Sequence, residues 1–474
     1  MINFSTRILL IFFLTVVLLC CKEKAYTLEK PYVRIEKELK NEYLGLFFQN
    51  RKIGYFQGSA YEAMANDKKV YYLLGYAIIR LDVEEQIVNT IISEEIILDA
   101  KTDKLLYFTY KQMIGDSHLE LKGYGKNDRI YLKTVSAGNI SEATLGSDYI
   151  PLASAGFLVW KDGIQEGKKR TFKVYVEALQ KPEILNIEVG KKRIVDGKDV
   201  FPMRQKLGNI EITTEILENG DIFKEESIQG FTLKKLSREE AIKLDGSLSL
   251  YELFSYSLIL VDKAPPKNTA RLKVELKGIE NVNIPESNFQ VVEKKGSSLI
   301  VTVSSEKPLN PKKEHNLEKY LKATPKIQKD AKEIKNLALE ITKGMSNDKE
   351  KAEAILMWVN KNIKKRLRDK FSALEVLRDR EGECEAHSIL TAALLRSIGI
   401  PSRVVGGIVY SYENGGFLYH AWNEVYINGY FVPVDATYGQ FPADATHIKL
   451  TSEENMEDIA FYIGKLKVDI LETN

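Results

Sequence analysis

Apolar and polar positions alternate with a period of two over most of the first half of the chain. Val70–Leu81 and Gln86–Ile97 are dense in Val, Ile, Leu and Tyr, and similar runs follow at Leu105–Lys111, His118–Tyr124, Arg129–Val135, Arg170–Leu179 and Ile184–Val189. Turn-forming pairs punctuate them, as at Asn127-Asp128, Asp162-Gly163 and Asn219-Gly220. Many short strands at this spacing predict an antiparallel sheet assembly from about Leu46 to Glu225. Ser237–Leu244 reads as a short helix, with Ser237 as its cap and Glu239 and Glu240 favouring the first turn. Ala264-Pro265-Pro266 marks a boundary, Ala270–Leu276 and Ser298–Val303 read as strands of a small β segment, and the polar Ser304–Asn316 reads as a linker.

Beyond the linker the period changes to 3.6. Pro325–Lys343 places Ile327, Ala331, Ile334, Leu337, Ala338 and Ile341 at helical spacing, and Lys349–Lys364 repeats the pattern with Ala352, Ile355, Leu356, Val359 and Ile363. Gly382-Glu383-Cys384 then opens a helix over Glu385–Ser397, with Gly399 as its stop and Pro401 just beyond. Three strands follow at Arg403–Tyr412, Phe417–Ile427 and Tyr430–Ala436, turning at Asn414-Gly415-Gly416 and Asn428-Gly429. The expected class is therefore α+β. A β-rich N-terminal region (22–262) precedes a small β segment and linker (263–310) and a second domain (311–474).

The first 21 residues fall outside this pattern. Arg7 leads into the apolar run Ile8–Leu19, which ends at Cys20-Cys21 and the charged Lys22-Glu23-Lys24. The run is short for a bilayer span, which needs about 20 apolar residues, and has the length of a secretory signal core. The cysteines at its end resemble a bacterial lipoprotein signal. That resemblance implies an exported chain anchored by lipid at Cys20 or Cys21, facing the periplasm or the cell surface; an uncleaved N-terminal anchor is the alternative. Leu19 and Cys20 stand where such signals usually carry smaller residues.

Composition narrows the rest. A hydrophobic share of 44% and a charged share of 28% over 474 residues are globular and predict two or three domains. Lys+Arg (68) nearly balances Asp+Glu (66), so charge gives no reason to expect a nucleic-acid partner. No Cys/His cluster has zinc spacing and no EF-hand loop appears, so no cofactor or metal is expected. The β-rich half carries no motif with chemistry, and His118 within it reads as structural. Of three cysteines, two sit in the signal, which leaves Cys384 without an ordinary disulfide partner.

Cys384 lies at the start of a helix, where free N–H groups and the dipole favour a thiolate. If Asn428-Gly429 is a two-residue loop, Ile427 pairs with Tyr430, and His420 and Asp435 become diagonal neighbours on one face, roughly 7–8 Å apart at the backbone. The other face carries Ala421, Val425, Ile427, Val432 and Val434 as core. The roles that follow are Cys384 as nucleophile, His420 as base and later acid, and Asp435 as the group that orients His420. The backbone N–H of Cys384 is an expected oxyanion donor. His387, three residues after Cys384, competes with His420 for the role of base. Trp422 reads as packing, and Asp444 and His447 as structural or rim residues.

These residues also carry a resemblance. Gly382-Glu383-Cys384, Leu394–Arg403, His420-Ala421-Trp422-Asn423-Glu424-Val425 and Val432-Pro433-Val434-Asp435-Ala436-Thr437 resemble the transglutaminase-like core, over about residues 311–450. The departures are Phe431, where a Trp is frequent, and Ala436, where a Pro often follows. The resemblance implies a papain-like fold, a helix carrying the cysteine packed on an antiparallel sheet, with Cys384, His420 and Asp435 as catalytic triad. It implies acyl transfer to water or to an amine from a peptide or protein amide, with hydrolysis, as in a cysteine protease or amidase, ahead of crosslinking. The competing class is a non-catalytic envelope binding or scaffold lipoprotein that retains the fold.

Overall fold

A computed structural model of the chain describes residues 30–474 apart from 84–85, 116, 137–138, 209, 228–229, 280–281, 315, 367–369, 371 and 452–455. The signal-type segment, with Cys20 and Cys21, lies outside the described residues. The chain forms two compact units that divide between Glu252 and Leu253.

The first unit is a single barrel-like sheet. Its opening strands are long (Val33–Phe48, Arg51–Ala65, Lys68–Val83, Gln86–Asp99) and pair as an antiparallel meander that continues to Asn139–Gly146. Gln49-Asn50 and Asn66-Asp67 turn with both residues at positive φ, the geometry that matches strand twist in a two-residue hairpin. A second antiparallel series runs from Lys169–Val176 to Phe231–Leu236, and its last strand pairs with the first of all, Tyr43 opposite Leu236. Leu152–Lys161, between the two series, is a helix that buries Leu152, Ala155, Leu158 and Val159. The periodicity did not foretell it, because a short apolar run fits strand and helix alike. The expected helix after residue 237 is present at Arg238–Ile242, with Ser237 and Glu240 forming a capping box. Strands make up 50% of the chain and helices 18%. The α+β description therefore suits the second unit better than the whole.

Among the described residues the second unit has two larger sheets, a two-stranded pair (Lys364–Lys365 with Glu381–Gly382) and a helical layer. Arg271–Lys277 lies between Ser298–Ser304 and Lys467–Thr473, with Gln290–Lys295 outside, so the end of the chain closes the small β segment. The helices are α1 (Lys332–Ile341), α2 (Asp348–Asn362), α3 (Ala373–Asp379) and α4 (Cys384–Ser397). They accompany a sheet of β1 (Ser402–Ser411), β2 (Gly416–Ile427), β3 (Tyr430–Val434) and β4 (Ile448–Lys449), to which Ile259–Leu260 adds a short strand. Among the described residues no helix is long and apolar enough to cross a membrane.

In the β2–β3 hairpin, Ile427 pairs with Tyr430, and the register runs back to Asn423 opposite Val434. Asn428 and Gly429 both take positive φ. β1 covers one edge of β2 from Gly416 to Val425. On the other edge Ile259–Leu260 pairs only with Phe417 and Gly416, and β3 only from Asn423 onward. Residues 418–422 of β2 thus have no described strand on that side, and this gap locates the site.

One expectation about this sheet needs correction. Only one face was expected to be core, yet all ten residues of β1 are buried, as are His420, Trp422 and Glu424 on the face that bears the site. The site-bearing face also carries a buried ion cluster in which Glu424 Oε2 accepts from Arg403 Nε (2.7 Å) and Lys449 Nζ (2.8 Å). Gln290 Nε2 also donates to Lys449 O at 2.9 Å, which ties the face to the small β segment. Chain returning from outside the hairpin supplies these partners, and strand alternation does not register such returns.

Candidate active site

Cys384 is the first residue of α4 and is half-buried. The chain reaches it through Gly382, where a Cβ would lie 2.4 Å from Ala386 Cβ, so only glycine lets the backbone enter the helix so closely. The backbone N–H of Ala421, on the stretch of β2 left open at that edge, acts on the sulfur in the direction that favours a thiolate. Asn423 Nδ2 donates to Ser388 O (3.0 Å), which fixes α4 against β2 one turn beyond the cysteine.

Asp435 lies just past the end of β3, in a turn closed by its bridge to Gln440. Its Oδ1 accepts the backbone N–H groups of Thr437 (2.7 Å) and Tyr438 (3.3 Å), and its Oδ2 accepts from His420 Nε2 at 2.8 Å. With Nε2 donating to the carboxylate, Nδ1 of His420 is the nitrogen left as base. The three residues expected from the sequence thus lie around one short stretch of β2: His420 on it, Cys384 under the influence of its Ala421 N–H, and Asp435 bonded to its imidazole.

The charge states differ from the expected lowered thiol. Burial pushes the Cys384 thiol well above its ordinary value; the carboxylates of Glu383, Glu385 and Asp435 push the same way, opposed by the Ala421 N–H. Burial also lowers His420, helped by the positive charges of His447 and Lys365 and opposed by Asp435. Both directions favour a neutral thiol beside a neutral imidazole. Asp435 is held far below the carboxylate range: burial alone would raise it, but the two histidines outweigh burial.

His447 is the residue that sequence reasoning undervalued. Its Nε2 lies 3.0 Å from the same Asp435 Oδ2, and its Nδ1 lies 3.1 Å from Asp444 O and 3.4 Å from Asp444 Oδ1. Trp422 packs against both imidazoles, near-parallel to His420 (centroids 6.3 Å, 18° between planes) and edge-on to His447 (5.2 Å, 79°). Asp444 is held in turn by Gln440 Nε2 at 3.0 Å and Thr446 N at 3.0 Å. His387 is buried with both ring nitrogens at backbone carbonyls, Glu383 O (2.8 Å) and Ile363 O (3.2 Å), which places it in helix packing rather than at the thiol.

Ligand atoms of His420, Asp435 and His447 lie within 4.8 Å of one another, a spacing that admits a cation. Both histidines, however, turn Nε2 toward one carboxylate oxygen, and mutual hydrogen bonds account for that arrangement without an ion.

Residues 335–436, which include Cys384, His420 and Asp435, match the transglutaminase-like superfamily, so the chain carries a transglutaminase-like domain there. The kyphoscoliosis peptidases of Mus musculus and Homo sapiens are 27% and 26% identical to it over 131 residues, covering 25% of this chain and 20% of each relative. The chain thus spans about a fifth of the length of the curated relatives it matches. Two solved structures superpose weakly. A candidate cysteine protease from Cytophaga hutchinsonii is 16% identical over 44% of this chain and 84% of its own, with a TM-score of 0.29. A β-barrel-like protein of a domain of unknown function from Brucella abortus is 14% identical over 43% of this chain and 96% of its own, with a TM-score of 0.31.

Proposed function

We propose that the second unit is a thiol-dependent hydrolase of peptide or protein amides, working through Cys384, His420 and Asp435. The observation that carries this reading is the 2.8 Å His420–Asp435 pair at the edge gap of β2, with a helix-start cysteine on which the Ala421 N–H of that stretch and Asp435 both act. His420 Nδ1 takes the thiol proton as Sγ attacks the carbonyl carbon, and the N–H of Cys384 at the free end of α4 donates to the developing oxyanion. The intermediate collapses as the imidazolium returns its proton to the leaving amine, giving a thioester on Cys384. Water, deprotonated by His420, then attacks the thioester and releases the acid and the free thiol. Asp435 keeps His420 in the tautomer with Nδ1 free and stabilises the imidazolium during each transfer. Neutral resting partners make proton transfer concurrent with attack, so the rate should depend on His420 being unprotonated.

Hydrolysis ahead of amine transfer is supported by the peptidase names of the curated relatives. The Ile8–Leu19 run with Cys20-Cys21 supports export and a lipid anchor facing the periplasm or cell surface. The test is turnover of peptide amides with and without a fluorescent primary amine. Free acid as the main product, abolished in Cys384→Ala and His420→Ala, is expected. Predominant amine incorporation would make the protein a crosslinker, and turnover that survives Cys384→Ala would remove the mechanism.

A further inference from the structure

Asp435 accepts from four donors: two backbone N–H groups at Oδ1 and two imidazoles at Oδ2. A triad needs one of those imidazoles. The second, His447, is buried, and both its nitrogens face oxygen: Nε2 the Asp435 carboxylate, Nδ1 the carbonyl and carboxylate of Asp444. An acceptor at each ring nitrogen is satisfied only if each nitrogen carries a proton, because a neutral imidazole has one donor. The charged groups around the ring fit that state. Asp435 and Asp444 carry two negative charges against it, with His420 (ring centroids 5.9 Å) and Tyr438 (6.4 Å) as its other titratable neighbours. Lys365, over the Tyr438 ring at 5.1 Å, is a further cation acting on His420.

We propose that His447 is a positioning residue of the Cys384–His420–Asp435 site: a buried imidazolium clamped between Asp435 and Asp444 that fixes the carboxylate and keeps His420 a neutral base. This rests on the reading of Cys384 and His420 as nucleophile and base. A lone Asp435 beside His420 would draw a proton onto His420 and stabilise an ion pair. Sharing Asp435 with a second imidazolium weakens that pull, and that cation itself disfavours another positive charge 5.9 Å away. The raised proton affinity of His447 and the lowered affinity of His420 run in the directions this division requires.

Two measurements test it. In protein labelled with 15N at histidine, the His447 ring nitrogens should both show imidazolium shifts at about pH 7.5, where an ordinary histidine is mostly neutral. A neutral tautomer there overturns the proposal, and this needs no variant that folds. The second is the pH dependence of Cys384 acylation by p-nitrophenyl acetate in wild type, His420→Ala and His447→Gln. Gln keeps a donor for Asp435 but no charge. The acidic limb set by His420 should move up in His447→Gln by roughly one to two pH units, the size of a unit charge at this separation in an effective dielectric of about 20. An unmoved limb overturns the role of His447 while the triad stands. Superimposed wild-type and His420→Ala profiles instead overturn the triad reading itself.

Discussion

Raising the pH from about 7 to about 9.5 should destabilise the second unit through one residue. Hydrogen bonds from His447 to Asp435 and Asp444 outweigh its burial and hold its pKa at about 9, against an ordinary 6.5. A group that binds its proton more tightly when folded stabilises fully below its unfolded value and loses that contribution as pH rises through the folded value. The contribution of His447 is therefore whole below about pH 6.5 and gone above about pH 9. At about 1.4 kcal/mol for each tenfold change in proton affinity, the loss is roughly 3 kcal/mol. His420 and Asp435, both lowered, act only on the acid side of this window. Cys384, being raised, would add a loss above its ordinary value, so the titration belongs on Cys384→Ala. Urea unfolding in a Trp160→Phe background reads Trp358 and Trp422, both in the second unit. A stability that stays flat from about pH 7 to 9.5, or one that falls equally in His447→Gln, would refute the buried imidazolium.

Three further outcomes follow from the same geometry. Asp435→Asn puts an amide NH2 among four donors, so it should lower acylation by several orders of magnitude by misplacing the His420 tautomer; it should also remove the loss of stability on acidification that a lowered carboxylate contributes, which urea titration at low pH checks. Gly407→Ala would set a Cβ 2.0 Å from Ile448 O and 2.6 Å from Trp422 Cη2, so unfolding should show a loss of about 1–3 kcal/mol or more, with slower acylation as Trp422 shifts against both histidines. EDTA dialysis should leave acylation of Cys384 unchanged, and a loss restored by added zinc would show that His420, Asp435 and His447 hold a cation instead.

How much of this was written in the sequence depends on distance along the chain. The β2–β3 register followed from Asn428-Gly429 alone, because a two-residue turn fixes the pairs from Ile427–Tyr430 back to Asn423–Val434; Asp435 then reaches His420 from the turn just beyond the last pair. The position of Cys384 at a helix start followed from Gly382 and the 3.6-residue period after it. The Ser237 cap was legible for the same local reason. What failed was carried by irregular or distant chain. His447 reaches Asp435 through a loop with no period to read, and its importance lies in two acceptors that only the folded loop brings together. The strand Lys467–Thr473 pairs with Arg271–Lys277 far back in the chain, and nothing in either segment names the other. The thiol's state was also out of reach, since helix position argues for a lowered value while burial and three nearby carboxylates, set by tertiary packing, argue for a raised one.

The most direct test of thiol acyl transfer at Cys384 is intact-mass detection of the acyl-enzyme. The purified chain is mixed with p-nitrophenyl acetate, quenched in acid at short times, and the acetyl group located by peptide mapping. An acetyl on Cys384 should form and then turn over in wild type, be absent in Cys384→Ala, and form far more slowly in His420→Ala. Acetylation no faster than in Cys384→Ala, or located on lysines alone, would contradict acyl transfer at that thiol.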